Sequence, residues 1–325
     1  MDERAGMRRR LLTLGASAAL GAPLLMSLVQ AQSVDLRRKP ITLVVPFVPG
    51  GGTDSIAREL ARHLSTELGV SVIVDNKGGA GGAIAAVGVA KAVPDGATLL
   101  FTTSTFITHA ASDPAPTYDP LSDFAPIAML GRGPLLVVSS KASGIESVSQ
   151  LINAARANPG GLTYCSAGPG SINHLAAELF TQMAGISMTH VPYKGSGPAT
   201  MDLLAGRTQI FFATVPTIRS HVRENKVNVL AVTALARSAM YPDVPTVVES
   251  GIAGYDVSTW WGITAPSGVP AETVAALNVA INAVSPALKD RLLNEGATPV
   301  SDSPAAFAKT LQTELKAWKQ VMHQH

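Results

Sequence analysis

The sequence predicts an α/β protein built as two lobes facing each other across a cleft. Three observations point there. The chain is 46% hydrophobic but only 5% aromatic, and its wealth of Ala, Gly, Val and Leu suits buried strands alternating with helices. Apolar runs of strand length recur between stretches of helical period, which implies a parallel sheet with right-handed crossovers. The order strand, glycine-rich loop, helix occurs twice, as VVPFVPGGGTDSIAREL from Val44 to Leu60 and as SAGPGSINHLAAELF from Ser166 to Phe180. In open α/β sheets ligands bind at the carboxyl ends of strands. Free backbone N–H groups and the positive end of the helix dipole point there. One such loop in each half places anion-binding groups on both walls of a cleft, and 325 residues suffice for two domains.

The chain opens with a targeting pattern. Arg8, Arg9 and Arg10 precede an apolar run from Leu11 to Val29, and Val29-Gln30-Ala31 has the small-x-small character of a cleavage site. Residues 1–31 are expected to be a signal peptide, which places the mature protein in the periplasm. Asp2 and Glu3 stand oddly ahead of a basic region, so Met7 is a candidate start, and the arginines admit a twin-arginine route. An uncleaved anchor is the alternative, but Gly15, Gly21 and Pro23 interrupt the run. No later stretch reads as apolar enough to span a bilayer. Cleavage after Ala31 leaves 21 basic and 21 acidic residues, a balance that argues against nucleic acid as partner. The sole cysteine, Cys165, has no partner for an intrachain disulfide.

Ile41–Phe47 reads as a buried strand. Thr53 is the expected cap of the next helix, whose apolar stripe is Ile56, Leu60, Leu64 and Leu68, and Gly69 stops it. Strands are expected at Val70–Val74 and Thr98–Thr103, with a helical stretch from Gly82 to Val93 between them. Ser147-Val148-Ser149-Gln150 is a capping-box pattern opening another helix. Strands follow at Leu162–Ser166, Met188–Val191, Gln209–Ala213 and Val227–Val232. Near Trp260-Trp261 the pattern changes, and two long helices, about 271–294 and 303–323, end the chain. In a strand the two tryptophans face opposite sides, one towards the cleft and one into the core.

The candidate chemistry is that of a binder. Gly50-Gly51-Gly52-Thr53 lacks the Gly-Lys-Ser/Thr ending of a phosphate loop, and Gly79 and Gly81 fit a dinucleotide fingerprint only until Ile84. Asp54 reads as a first-turn acid that stabilises its helix. Ser171 and Asn173 either bind ligand or cap a helix, and His174 reads as a buried hydrogen-bonding group. Cys165 with His174 is the one nucleophile pair to be drawn, but Cys165 falls within a strand and no third residue orients it. No spacing of His or Cys suggests a metal site, and no cofactor is expected.

Four stretches carry a family resemblance: PFVPGGGTDSIAREL, VIVDNKGGAGGAIAAVGVAKAVPDGATLLF, SAGPGSINHLAAELF and HVPYKGSGPATMDLLAGR. In this order and spacing, from about Lys39 to the C-terminus, the chain resembles the Bug/TctC family, exported substrate-binding proteins of tripartite tricarboxylate transporters. The resemblance implies a type II periplasmic-binding-protein fold, two α/β lobes joined by two crossing strands near 127–138 and 257–265. Lobe 1 would comprise residues 32–135 plus 262–325, and lobe 2 residues 136–261. It further implies a carboxylate held by loop amides and ordered water. One wall would then be Phe47, Val48, Pro49, Gly50, Gly51, Gly52, Thr53 and Asp54, with Thr103 and Ser104 beside it. The other would be Ser166, Ala167, Gly168, Gly170, Ser171 and His174, with Tyr193, Lys194 and Gly195 nearby.

The sequence departs from the family's pattern at Cys165, often Gly or Ala, and at Asn76-Lys77-Gly78, often Arg-Pro-Gly. Members that bind amino acids can present an acid near 209–214, to meet an ammonium. Here Ala213 and Thr214 carry none, which favours a carboxylate without an amino group. The implied partners are a small organic carboxylate and a membrane permease or sensor, with the receptor itself a monomer. A hydrolase using Cys165 or Ser171, and an interaction module with a vestigial cleft, are the rival readings.

Overall fold

The computed structural model describes residues 39–322. The signal segment, its cleavage site after Ala31 and the histidines at 323 and 325 lie outside the described residues. Ten strands form one mixed sheet in the order β2-β1-β3-β9-β4-β7-β5-β6, with β8 and β10 also paired to β4. The strands are β1 Ile41–Val45, β2 Val72–Asn76, β3 Thr98–Thr103, β4 Phe124–Ser140, β5 Thr163–Ser166, β6 Thr189–Pro192, β7 Ile210–Thr214, β8 Val227–Val232, β9 Ser258–Pro266 and β10 Thr298–Pro299. Pairing is parallel among β1, β2 and β3 and among β5, β6 and β7. It is antiparallel wherever β4 takes part and between β3 and β9. The expected parallel sheet is therefore interrupted at its centre, where β9 runs antiparallel to β3 and β4, and β4 antiparallel to β7.

This is a bilobed α/β fold of the periplasmic-binding-protein type. The first part of β4, Phe124 to Pro134, pairs with β9, and the second part, Leu135 to Ser140, pairs with β7 and β8. β9 lies wholly on the first side. The return connection is made just ahead of it, where Val257 N–H donates to Thr233 O at 3.0 Å.

The helices are α1 Gly52–Leu68, α2 Ala83–Ala90, α3 Ser104–Ser112, α4 Val148–Ala157, α5 Ile172–Ala184, α6 Ser196–Leu204, α7 Val215–Arg223, α8 Ala271–Val284, α9 Lys289–Asn294 and α10 Pro304–Met322. The stripe Ile56, Leu60, Leu64 and Leu68 is 0–8% exposed, each fully buried side chain contributing about 1.5–3 kcal/mol. Gly69, in the left-handed region at φ 68°, ends α1. Thr53 does not cap that helix. The N-cap is Gly51, and Thr53, already inside the first turn, accepts a hydrogen bond from Trp261 Nε1 at 3.2 Å. Ser147 caps α4 as expected, accepting from Gln150 N–H at 3.2 Å, but Gln150 Oε1 reaches back to the Glu146 amide rather than to that of Ser147.

One stretch, Ala271–Asn294, is long and apolar enough to cross a membrane by length and hydropathy alone, contrary to the expectation from sequence. It stays helical throughout, tightening to a 3₁₀ segment at Ser285–Leu288, and α8 buries Leu277 and Ile281 in the first core. Three apolar clusters result: one of β1, α1 and α8, one of β7, α6 and α7, and a third in which α3, α5 and α10 meet. Trp260 enters the third and Trp261 the first, 0% and 2% exposed. They point to opposite faces of β9, yet both are core residues and neither lines an open cleft. Trp260 Nε1 donates to Glu314 Oε2 at 2.7 Å, and Arg132 pairs with the same carboxylate. Burial pushes the Glu314 pKa up. α10 is thereby fastened to β4 and β9 together.

Gly262 marks where α10 lies closest to the sheet: a Cβ there would stand 2.5 Å from Phe307 Cζ and 3.0 Å from Ala128 O. Gly262→Ala is expected to cost about 1–3 kcal/mol of stability through overpacking, read as a lowered midpoint in urea. An unchanged midpoint would show that α10 is free to shift.

Candidate functional site

The first glycine loop runs from the end of β1 to the start of α1. Phe47 is half-buried, while Val48, Pro49, Gly50 and Gly51 are exposed. Asp54, 4% exposed, ties the loop together. Its carboxylate accepts from Gly50 N–H, Arg58 Nε and Asn76 Nδ2, each at 2.9 Å. Asn76 also donates to Phe47 O at 3.1 Å. Burial pushes the Asp54 pKa up, but the Arg58 guanidinium, the Gly50 amide and Asn76 together hold it below the usual carboxylate range. Asp54 therefore does more than the first-turn acid expected of it, because it shapes the loop. Gly51, as N-cap, offers no side chain to α1, so the first amides of that helix are open to an approaching acceptor.

The second loop is built differently. Ser171 caps α5, accepting from His174 N–H at 3.3 Å and donating to Gly168 O at 2.7 Å. Gly168 N–H donates to Ser166 Oγ at 3.0 Å, and Ser166 Oγ also bonds His190 Nε2 at 2.7 Å. Gly170 N–H donates to His174 Nδ1 at 3.3 Å. Gly195 N–H donates to Ala167 O, and Tyr193 N–H to Ser166 O, both at 3.1 Å. Gly168 sits at φ 123°, and a Cβ there would stand 3.1 Å from Tyr193 O, so the close approach requires glycine. The Tyr193 hydroxyl donates to Asp202 at 2.6 Å, and burial, with that carboxylate beside it, pushes its pKa up to about 12. Lys194 is exposed.

The expectation that helix-start amides grip on both walls thus divides. The amides of Gly50, Gly168 and Gly170 are spent within their own loops. α1, α3 and α7, whose N-caps are Gly51, Thr103 and Thr214, begin without a side-chain cap, as do α6, whose N-cap is the expected wall residue Gly195, and α2, α8 and α9. Ser104 is not at a strand end but opens α3, and its hydroxyl is committed: it donates to Thr259 Oγ1 and accepts from Trp260 N–H, both at 2.9 Å. Ala213 is buried, and Thr214 Oγ1 bonds Thr217 Oγ1 at 2.8 Å.

The two loops are each met by an element from elsewhere. A Cβ on Gly52 would stand 2.5 Å from Pro216 Cβ, so the start of α1 abuts the start of α7. Thr108 on α3 donates to Gly170 O at 2.8 Å, so the helix that Thr103 begins reaches the second loop. Sequence reasoning missed two features here. Glu295, 4% exposed, places Oε2 2.8 Å from where a Gly52 Cβ would be and pairs with Arg291 at 3.8 Å. The only sequence signal was an acid just before the helix-ending Gly296. The second is a cavity of about 10 Å³ between Phe47, Gly81, Gly82, Thr102 and Phe106, about the size of one water molecule. The buried Thr102 Oγ1 has no hydrogen-bond partner within the protein.

The nucleophile pair is not assembled. Cys165 is fully buried, burial pushes its thiol up to about 12, and Sγ faces the carbonyls of Ala199 and Ile210 at 3.6 Å. Among the described residues no group of three or more His, Cys, Asp or Glu side chains stands placed to hold a metal ion.

Known proteins resemble the chain in sequence and in fold. Residues 56–325 match the model of the TctC family, described as the tripartite tricarboxylate transporter family receptor. Protein BugT of Bordetella pertussis is 35% identical over 325 residues, covering 98% of each chain. A solved R. palustris protein with adipate superposes with a TM-score of 0.82 at 36% identity, covering 87% of this chain and 96% of that one. MatC from Rhodopseudomonas palustris with bound malate gives 0.80 at 32% identity, covering 87% and 98%.

Because the Asp54 pKa is lowered on folding, its contribution to stability is present above about pH 4, the range of a free carboxyl, and is lost as pH falls through the lowered value. Asp54→Asn is expected to destabilise the protein at pH 7 by about 1–3 kcal/mol and to flatten the acid side of the stability curve. Superimposable acid limbs in the two proteins would remove Asp54 from this role.

Proposed function

The chain belongs to the TctC family of tripartite tricarboxylate transporter receptors, and on that premise we propose that it is an exported receptor capturing a small organic carboxylate between its lobes. The family and the fold are those of binding proteins rather than catalysts. The observation that carries the reading is the start of α1, glycine-capped and placed against the equally uncapped start of α7. The two helix dipoles there and the open amides of α1 suit an anion, while Pro216 leaves the first turn of α7 one donor short. Adipate and malate, named with the two solved relatives, are ligands of that chemistry.

Capture would proceed by closure. The acid docks on one loop, the other lobe completes the hydrogen bonds, and the closed form is favoured by its greater affinity. Of the wall residues expected from sequence, Gly51, Gly52 and Thr53 at α1 and Thr103 and Thr214 at α3 and α7 are the proposed contacts. Asp54, Ser166, Gly168, Ser171 and His174 shape the loops that present them. A membrane permease of the tripartite type, or a sensor, would receive the loaded protein on the periplasmic side.

A second reading has one observation in its favour. Glu295 brings an acid close to α1 after all, as an amino-acid receptor would need. Its pairing with Arg291 leaves it partly neutralised, which favours the acid without an ammonium.

Adipate or malate at about 100 times Kd is expected to stabilise the protein by about 2.7 kcal/mol, a clear rise in Tm. Gly52→Ala is expected to weaken binding at least tenfold, since α1 and α7 must part to admit the methyl group. No shift with any di- or monocarboxylate would overturn the receptor reading. In calorimetry an acid should bind more tightly than its α-amino counterpart. The reverse order, abolished by Glu295→Gln, would establish the amino-acid reading instead.

A further inference from the structure

Behind the second glycine loop lie two imidazoles that ligand capture does not need as contacts. His174 on α5 and His190 on β6 stack with centroids 4.2 Å apart and planes 19° from parallel. Tyr164 on β5 continues the stack, 4.9 Å beyond His190, and its hydroxyl bonds Glu178. Each imidazole holds a different point of the loop. His190 Nε2 bonds Ser166 Oγ, which in turn accepts from the Gly168 amide. His174 Nδ1 accepts from the Gly170 amide. An acceptor nitrogen carries no proton, so in the neutral ring the His174 proton sits on Nε2, facing Glu178 Oε1 at 3.7 Å.

That bonding makes the loop sensitive to one proton. A second proton on His174 has only Nδ1 to go to, where it opposes the Gly170 N–H. The adjacent ring cannot share the charge, because burial and its neighbour push His190 down to about 4. The titratable groups against the pair and its loop include Glu178 on the same helix and Tyr164 on β5 and, beside Gly170, His109 on α3, whose Nδ1 lies 3.2 Å from where a Gly170 Cβ would stand. Glu178, on the Nε2 side, favours the charged ring as a whole but does not accept from Nδ1, so the opposition of Nδ1–H and the Gly170 N–H stands.

We propose that His174 and His190 are positioning residues for ligand capture: the stacked, uncharged pair holds the second loop in its binding form, and a proton on His174 breaks the Gly170 bond and releases the ligand. This rests on the receptor reading of the same cleft. Ligand and proton then compete. Affinity is full above the titration of the pair and falls about tenfold per pH unit below it.

The test is calorimetry with adipate and malate from pH 8 to pH 5 on the wild type, His174→Asn, His174→Leu and His190→Gln. Asn keeps an acceptor near the Nδ1 position but cannot be protonated. The ligand's own titration cancels in the ratio of wild type to variant. The expected result is a wild-type slope steeper than that of His174→Asn by about tenfold per pH unit, with His174→Leu weaker at every pH. Equal slopes in wild type and His174→Asn would overturn the buttress and leave the receptor standing. Failure of the wild type to bind either acid at pH 8 would instead count against the receptor. The unliganded loop then decides alone: the Gly170 amide resonance must titrate with the His174 ring protons, and a Gly170 signal flat through that titration refutes the proposal.

Discussion

The site depends on one strand having partners along its whole length. Buried backbone groups must be hydrogen-bonded, and β4 presents 17 residues of them. It meets the demand by pairing with β9 on one side of the molecule and with β7 and β8 on the other. Breaks in register near Pro126, Met129 and Val137 bend it between those partners. The glycine loops follow β1 and β5, and the hydrogen-bonded path between these strands runs through β4. Their relative placement is thus a property of the ladder, not of the loops. α10 reinforces it, because Glu314 binds Trp260 of β9 and Arg132 of β4 at once.

Much of this was legible from residue pattern, and the misses have identifiable causes. Thr98–Thr103 and Val227–Val232 were read to the residue, because each is a short apolar and β-branched run that opens just after a polar turn. α3 was missed altogether. Ser104–Ser112, STFITHAAS, follows β3 with no turn residue between them, and its β-branched members give no helical signal. Thr53 looked like a cap because threonine favours that position. Trp261, 208 positions away, claimed its hydroxyl, and no local signal announces such a partner. The use of loop amides was invisible for the same reason: Asp54, His174 and Ser166 are ordinary residues until their contacts are known. The family motifs located the walls, while the division between spent and open amides required coordinates.

That division bears on recognition. A pocket that met its ligand through arginine would fix the geometry of one carboxylate by a bidentate fork. Here the arginines near the first loop are engaged elsewhere, Arg58 with Asp54 and Arg291 with Glu295. Helix starts offer a diffuse positive potential and single donors, which tolerate acids of differing length and substitution. The discriminating features are then steric. Pro216 and Val215 press on Gly52 and Gly296 with no space for an added methyl group, so on the proposed reading the contour between α1, α7 and the turn after α9 would decide which acid fits.

The single thiol of the chain makes the second lobe observable from outside. Cys165 is fully buried in β5, immediately before the loop that begins at Ser166, and its raised pKa leaves it a poor nucleophile as long as it stays there. A thiol-reactive dye can therefore reach it only through local opening of that strand. Alkylation rate is a native chronometer for how often the loop lets go, with no label to introduce and no other thiol to confuse the signal.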